Sequence, residues 1–317
     1  MPSEHSAGSK EKSAPENTND SEALARILEA SGDYQVLRRL KVPESYSPAE
    51  GVSLLRGLVV DVETTGLDVT REKIIELGAV PFDFDSSGRV YAVHAPLSYF
   101  EDPGKPIPQD VVEITGITDA DVSGQHIDDE AVLTALDPVV LVIAHNAAFD
   151  RRMLERRFPA FEKKYWACSM QEVPWQDFGS RSRKLDYLLY RVARAFHTGH
   201  RAADDCLATL HLLTMTRDGG GTALASLLKS ARRPTLRLWA TGAPIEVKDA
   251  LKRRHYRWFP GSETRAKAWY LDLFGEEELK SEQEWLHKNA YDDRPNPNWL
   301  VERFTGMDRY SRRMELR

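Results

Sequence analysis

Leu58-Val59-Val60-Asp61-Val62-Glu63-Thr64-Thr65-Gly66-Leu67 decides how the rest of this 317-residue chain is read. An apolar run marks a buried strand, and two acids enter it just before a Thr-Thr-Gly turn. Side chains alternate along a strand, so Asp61 and Glu63 fall on one face. Neighbouring carboxylates repel, and a divalent ion that prefers oxygen, Mg²⁺ or Mn²⁺, is the usual compensation. A strand end that has merely reached solvent is the competing reading.

Outward from this strand, residues 74–82 predict a second strand and 89–97 a third, with Ser86-Ser87-Gly88 as the hairpin turn between them. Short helical pieces at 110–114 and 128–136 lead to the apolar run Val139-Val140-Leu141-Val142-Ile143, another buried strand. Helices are expected at 147–158, 184–195 and 202–216. Strands first and helices later around one mixed sheet define an α/β domain over residues 53–217. Asp218-Gly219-Gly220-Gly221 breaks the last helix, and a helical turn or two follows at 224–229. Residues 1–22 are polar with almost nothing to bury and read as a disordered tail. In 23–52, Leu24, Ile27, Leu28, Val36, Leu37 and Leu40 recur at helical spacing around Ser31-Gly32-Asp33, predicting a short helical hairpin. Residues 235–317 predict a small α+β module: a β-α-β-β unit, a helix at 276–289 and an irregular tail.

Composition bounds the function. A hydrophobic content of 41% supports a good-sized core, and the formal net charge of -6 gives no global attraction for polyanions, so any nucleic acid site must be local. Only two cysteines, Cys168 and Cys206, are present, too few for a disulfide framework and without zinc-site spacing. No signal-peptide core and no membrane-spanning apolar run is visible. A cytoplasmic protein without a membrane partner is the expectation.

Two further segments carry chemistry. Ala144-His145-Asn146-Ala147-Ala148-Phe149-Asp150 takes an apolar strand into a helix. Asp150 in the first turn suits the helix dipole, yet it lies in line with Met153 and Leu154, and an inward-facing acid needs a partner or a metal. His200-Arg201-Ala202-Ala203-Asp204-Asp205 opens a helix on which Asp205 shares the core-facing side with Ala208 and Leu212. Asp204 is the dipole-favoured surface acid. His200 is either a solvated loop histidine or a proton acceptor, the role to which imidazole is best suited near neutrality.

Taken in order, Val60-Asp61-Val62-Glu63-Thr64-Thr65-Gly66-Leu67, His145-Asn146-Ala147-Ala148-Phe149-Asp150 and His200-Arg201-Ala202-Ala203-Asp204-Asp205 resemble the motifs of the DEDDh (DnaQ-like) 3′-5′ exonucleases. This family includes the proofreading epsilon subunit of bacterial DNA polymerase III. Val112-Glu113-Ile114-Thr115-Gly116-Ile117-Thr118 resembles its intermotif signature, and the likeness spans about residues 54–217. The resemblance implies a ribonuclease H-like fold and hydrolysis from the 3′ end of DNA with two divalent cations, Mg²⁺ or Mn²⁺. It makes Asp61, Glu63, Asp150 and Asp205 the metal ligands and His200 the general base. It places Thr64, Thr65 and Leu67 beside the terminal nucleotide, with Asn146 a further substrate contact. The sister group has tyrosine four residues before the last aspartate, where this chain has Arg201. His145 and His197 read as structural. RNA as substrate, or a binding module that kept the fold without the activity, are the alternatives, and a DNA polymerase or repair complex is the partner the family suggests.

Between Lys229 and Tyr270, eleven basic residues face three acidic ones. Interleaved aromatics make Arg253, Arg254, Arg257, Trp258 and Trp269 candidates for an accessory nucleic-acid surface. The same tryptophans are also what a small module needs for a core.

Overall fold

The computed structural model describes residues 18–263, 265–292 and 299–316. Its main sheet contains β1 (Leu55–Thr64), β2 (Ile74–Phe84), β3 (Val90–Val93), β4 (Leu97–Phe100), β5 (Val139–Ala144) and β6 (Trp166–Cys168). The order is β3-β2-β1-β5-β6, with β4 also on β2. β2 runs antiparallel to β1, whereas β5 and β6 run parallel to it. This is the ribonuclease H-like mixed sheet with flanking helices.

Helix α1 (Thr18–Ala30) precedes the sheet, α2 (Gln109–Thr115) and α3 (Asp129–Leu136) precede β5, and α4 (Ala147–Arg157) follows it. Helices α5 (Ala202–Thr214) and α6 (Ala223–Ala231) complete the domain. Both sheet faces are covered, which explains the continuous apolar runs. Val59, Val80, Phe82 and Ile143 pack with Leu210 and Leu213 of α5. Leu58, Val60, Leu77 and Val142 pack with Met153 and Leu154 of α4. The alternation of β1 therefore sends its odd-numbered residues toward α5.

Gly78 sets how closely α5 approaches, because a Cβ there would collide with the backbone of Ala202 and Ala203. Gly78→Ala should push the helix off β2 and cost at least about 1–3 kcal/mol, as overpacking does. Urea unfolding of the variant checks this, and an unchanged midpoint would contradict it.

Several sequence expectations need correction. The helical hairpin of 23–52 is one helix, α1, followed by extended chain in which Arg38–Arg39 pairs in parallel with Ala195–Phe196. Helix α1 begins at Thr18, inside the stretch expected to be disordered, and residues 1–17 of that stretch lie outside the described residues. The third strand is split into β3 and β4, since Pro96 has no N–H to donate to the ladder. The helix expected at 184–195 is one α-turn, Leu185–Leu188, running into a π-turn, Leu189–Ala193.

The C-terminal module is a four-stranded antiparallel sheet of β7 (Thr235–Ala240), β8 (Arg257–Phe259), β9 (Ala268–Leu273) and β10 (Trp299–Phe304) in the order β8-β9-β7-β10. Helices α7 (Lys248–Arg253) and α8 (Glu276–Ala290) accompany it. β10 falls in what was expected to be irregular tail. Leu236, Leu238, Trp269 and Leu273 on one sheet face form the module's core with Leu251, Leu279 and Leu286.

After β10 the chain returns to the catalytic domain. Arg151, fully buried on α4, donates to the carbonyls of Gly306 (3.0 Å), Met307 (2.7 Å) and Arg309 (2.6 Å), and pairs with Glu155 at 2.7 Å. Arg309, also buried, pairs with Glu172 at 2.7 Å and donates to carbonyls after α6, including that of Arg233.

Candidate active site

The alternation of β1 turns Asp61 and Glu63 to the α5 side, at the end of the sheet where α4 and α5 begin. Asp150, 3% exposed, accepts a hydrogen bond from the Val62 N–H at 3.2 Å, so the first turn of α4 is fastened to β1. Glu63, His200 and Asp205 each offer a ligand atom within 4.8 Å of the others. The five residues expected to carry catalysis thus converge on one end of the sheet.

Electrostatics mark this as an unusual cluster. Burial, then the charges of Asp150, Asp205, Glu63 and Glu76, hold the Asp61 carboxyl well above the usual range. Burial, then the charges of Asp205, Glu76 and Asp150, pushes Glu63 up to about 8, with Arg201 opposing. Burial pushes Asp150 up to about 7 despite the Val62 hydrogen bond that favours its charge. Oxygen ligands whose charges are so poorly compensated suit a hard divalent cation, and the donor set fits Mg²⁺ or Mn²⁺.

The sign of the pH dependence follows. Glu63 rises from 4.5 to about 8 and Asp150 from 3.8 to about 7 on folding. The folded state then binds more protons than the unfolded one between roughly pH 4 and 8, so stability falls as pH rises through that window. Metal-free protein should show a lower thermal midpoint at pH 8 than at pH 5.5, and Mn²⁺ should restore it mainly at pH 8. Scanning calorimetry in chelator and then in Mn²⁺ checks this; a midpoint that rises with pH in chelator would contradict it.

Two residues that sequence reasoning did not assign to the site support it. Glu76, 1% exposed and opposite Glu63 in the β1–β2 register, accepts from the Ala202 N–H at 3.1 Å and from Arg201 at 2.9 Å. It fastens the start of α5, and its signal was a lone acid within an apolar strand. Arg201 is held in this pair on β2. His197, read as structural, is directly bonded to the cluster: its Nε2 lies 2.5 Å from Asp205 Oδ1, and its Nδ1 lies 3.5 Å from Asp186. Burial alone would depress the His197 imidazole, but the Asp205 hydrogen bond and the charges of Asp205, Asp186 and Asp204 together raise it. His200 has a left-handed backbone (φ 65°), is exposed, and donates its N–H to Asp205 Oδ2 at 3.3 Å. His145 bonds Ser169 through Nδ1 (2.8 Å) and the Arg183 carbonyl through Nε2 (2.7 Å). It thereby holds the loop bearing exposed Arg181, Arg183 and Lys184 against the start of α4.

Among the expected substrate contacts, Thr64 and Thr65 are buried. Thr64 Oγ1 donates to the Gly66 carbonyl at 2.7 Å and Thr65 Oγ1 to Glu72 at 2.6 Å, so both hydroxyls shape the turn. Leu67 is 86% exposed at its tip, and Asn146 is exposed at the head of α4. Of the accessory residues, Arg254 is paired with Glu282 at 2.6 Å and Trp269 is buried, while Arg253, Arg257 and Trp258 are exposed.

Residues 58–213 match the family RNase T, described as "Exonuclease". The chain is 32% identical over 161 residues to the DNA polymerase III PolC-type of Clostridium perfringens, covering 49% of this chain and 11% of that protein. It is 28% identical over 185 residues to the DNA polymerase III subunit epsilon of Treponema pallidum, covering 56% of this chain and 83% of that protein. The chain therefore spans only about a tenth of the PolC-type relatives. Among solved structures, E. coli exonuclease I in complex with a dA16 oligonucleotide is similar at 13% identity and a TM-score of 0.48, covering 74% of this chain and 71% of that one. Exonuclease X in complex with 5′ overhanging duplex DNA is similar at 23% identity and a TM-score of 0.36, covering 55% and 89%. The segment 58–213 is a domain of the exonuclease family, of the DnaQ-like group. No helix among the described residues is long and apolar enough to cross a membrane.

Proposed function

We propose that this protein is a 3′-5′ exonuclease that hydrolyses DNA from its 3′ end. The observation that carries the reading is the convergence of Asp61, Glu63, Asp150, His200 and Asp205 on one end of the sheet, with carboxyl groups held far above their ordinary range. Asp61, Glu63, Asp150 and Asp205 would hold two divalent cations, which when bound supply a water of lowered pKa and neutralise charge on the phosphoryl oxygens.

The remaining steps belong to the chain's own residues. His200, exposed at the rim, takes the proton from the attacking water on an imidazole nitrogen. His197 positions Asp205, and Glu76 positions the helix that carries it. Leu67, at the tip of the turn fixed by Thr64 and Thr65, packs on the terminal nucleotide, and Asn146 faces the same strand. Arg181, Arg183 and Lys184 supply the local positive surface that a chain of net charge -6 needs to hold a phosphate backbone.

Digestion of matched single-stranded DNA, mispaired duplex DNA and RNA tests the substrate class. DNA is expected to be shortened at least tenfold faster than RNA of the same sequence. RNA degraded as fast or faster would overturn the DNA assignment while leaving the hydrolase reading in place.

A further inference from the structure

The module sheet has two unlike faces. Strand β7 reads Thr235-Leu236-Arg237-Leu238-Trp239-Ala240, and its leucines are spent on the module core. The other face, with Thr235 and Arg237 opposite Asp272 in the β9 register, is turned toward the outer side of α4. Between them lies a cavity of about 180 Å³, lined by Arg152, Thr235, Arg237, Arg257, Asp272 and Arg309 among others. On α4 this is the side of Ala148 and Arg152, whereas Asp150 points to β1.

The charged groups of the cavity wall are arginines at 152, 237, 257 and 309 and a single acid, Asp272. Asp272 is already consumed by Arg237, at 2.7 and 2.9 Å. Arg237 is further fixed against the ring of Tyr270, 4.3 Å away. Arg257 is exposed and has no ion pair among the described residues. Two buried polar atoms of lining residues lack partners: Thr235 Oγ1 and Arg309 Nε. Both groups can donate, and each buried polar group left unsatisfied costs roughly 1–3 kcal/mol. The missing partner is an acceptor, and the surplus of guanidinium groups makes it an anion with several oxygens.

We infer that this cavity binds a phosphate group, carried either by an internucleotide linkage of a nucleic-acid strand or by a free phosphate ester. Arg257 supplies the open charge, Arg237 a fixed one, and Thr235 and Arg309 the waiting donors. The choice of a nucleotide-derived phosphate rests on the exonuclease reading; the anion site does not.

Binding to the full chain in chelator, where no hydrolysis occurs, separates this site from catalysis. The probes are a 5′-labelled single-stranded oligonucleotide followed by anisotropy, and inorganic phosphate and a deoxynucleoside monophosphate followed by calorimetry. The variants are Arg257→Glu and the near-isosteric Thr235→Val. Both should weaken at least one probe, Arg257→Glu by tenfold or more. If the oligonucleotide alone weakens, with a salt slope shallower by about 1, the occupant is a strand phosphate. If the phosphate and the monophosphate alone weaken, it is a free ester. A loss seen for Arg257→Glu but not for Thr235→Val places the charge effect outside the cavity and overturns the proposal, as does no loss for either variant. A chain without nuclease activity would still give one of these results, so failure of the exonuclease reading is distinguishable.

Discussion

Asp61→Asn is expected to lower the rate of DNA hydrolysis by on the order of 10³-fold or more, the scale on which removal of one preorganised charge-stabilising group acts. The same change should raise the thermal midpoint of the metal-free protein at pH 8. The Asp61 carboxyl is held well above its ordinary range by burial and by Asp150, Asp205, Glu63 and Glu76. Its ionisation at high pH therefore works against the folded state, and the neutral amide relieves that burden. Opposite signs for activity and stability separate a site built for a ligand from a structural ion-pair network. Steady-state hydrolysis together with calorimetry in chelator checks both; a variant that loses activity and stability together would point to a structural role for Asp61.

The second large effect is expected far from the chemistry. Arg151→Met removes the buried guanidinium that gathers the carbonyls of Gly306, Met307 and Arg309 and leaves Glu155 buried beside them. Glu155 keeps Arg313 as a partner at 3.0 Å, which softens the loss without replacing the three carbonyl contacts. Breaking a buried pair costs about 3–5 kcal/mol, and a chain of this size loses roughly 2–4 °C per kcal/mol, so the midpoint should fall by on the order of 10 °C. Arg151 adjoins Asp150, so activity at a temperature where the variant remains folded should also fall. Arg152→Met, on the same helix but only partly buried, is the control expected to leave the midpoint within a few degrees. Equal midpoints for the two variants would show that the returning C-terminal segment does not clamp α4.

These two residues also show what the sequence makes legible. Asp61 and Glu63 are readable because a two-residue period within an apolar run fixes both the strand and the face, and β1 and β5 are buried on both sides. Asp150 and Asp205 follow from the same logic applied to helix faces. Arg151 is not readable: on a helix rich in arginine it looks like a solvated residue, and the carbonyls that explain it lie more than 150 positions away. The strand β6 escapes notice because three residues carry too little alternation to register, and β10 because its burial alternates poorly. His197 was ranked below His200 by its motif position alone. Its contact with Asp205 depends on how the loop before α5 folds back, which no local pattern encodes.

The account rests on metal-dependent release of nucleotides from a 3′ end. The most direct test is digestion of a 5′-labelled DNA strand with Mg²⁺ or Mn²⁺, beside a chelator control and the Asp61→Asn variant. A ladder that shortens stepwise from the 3′ end, present only with metal and absent from the variant, is the predicted result. Cleavage that persists in chelator, or intact DNA with folded protein and metal present, would contradict it.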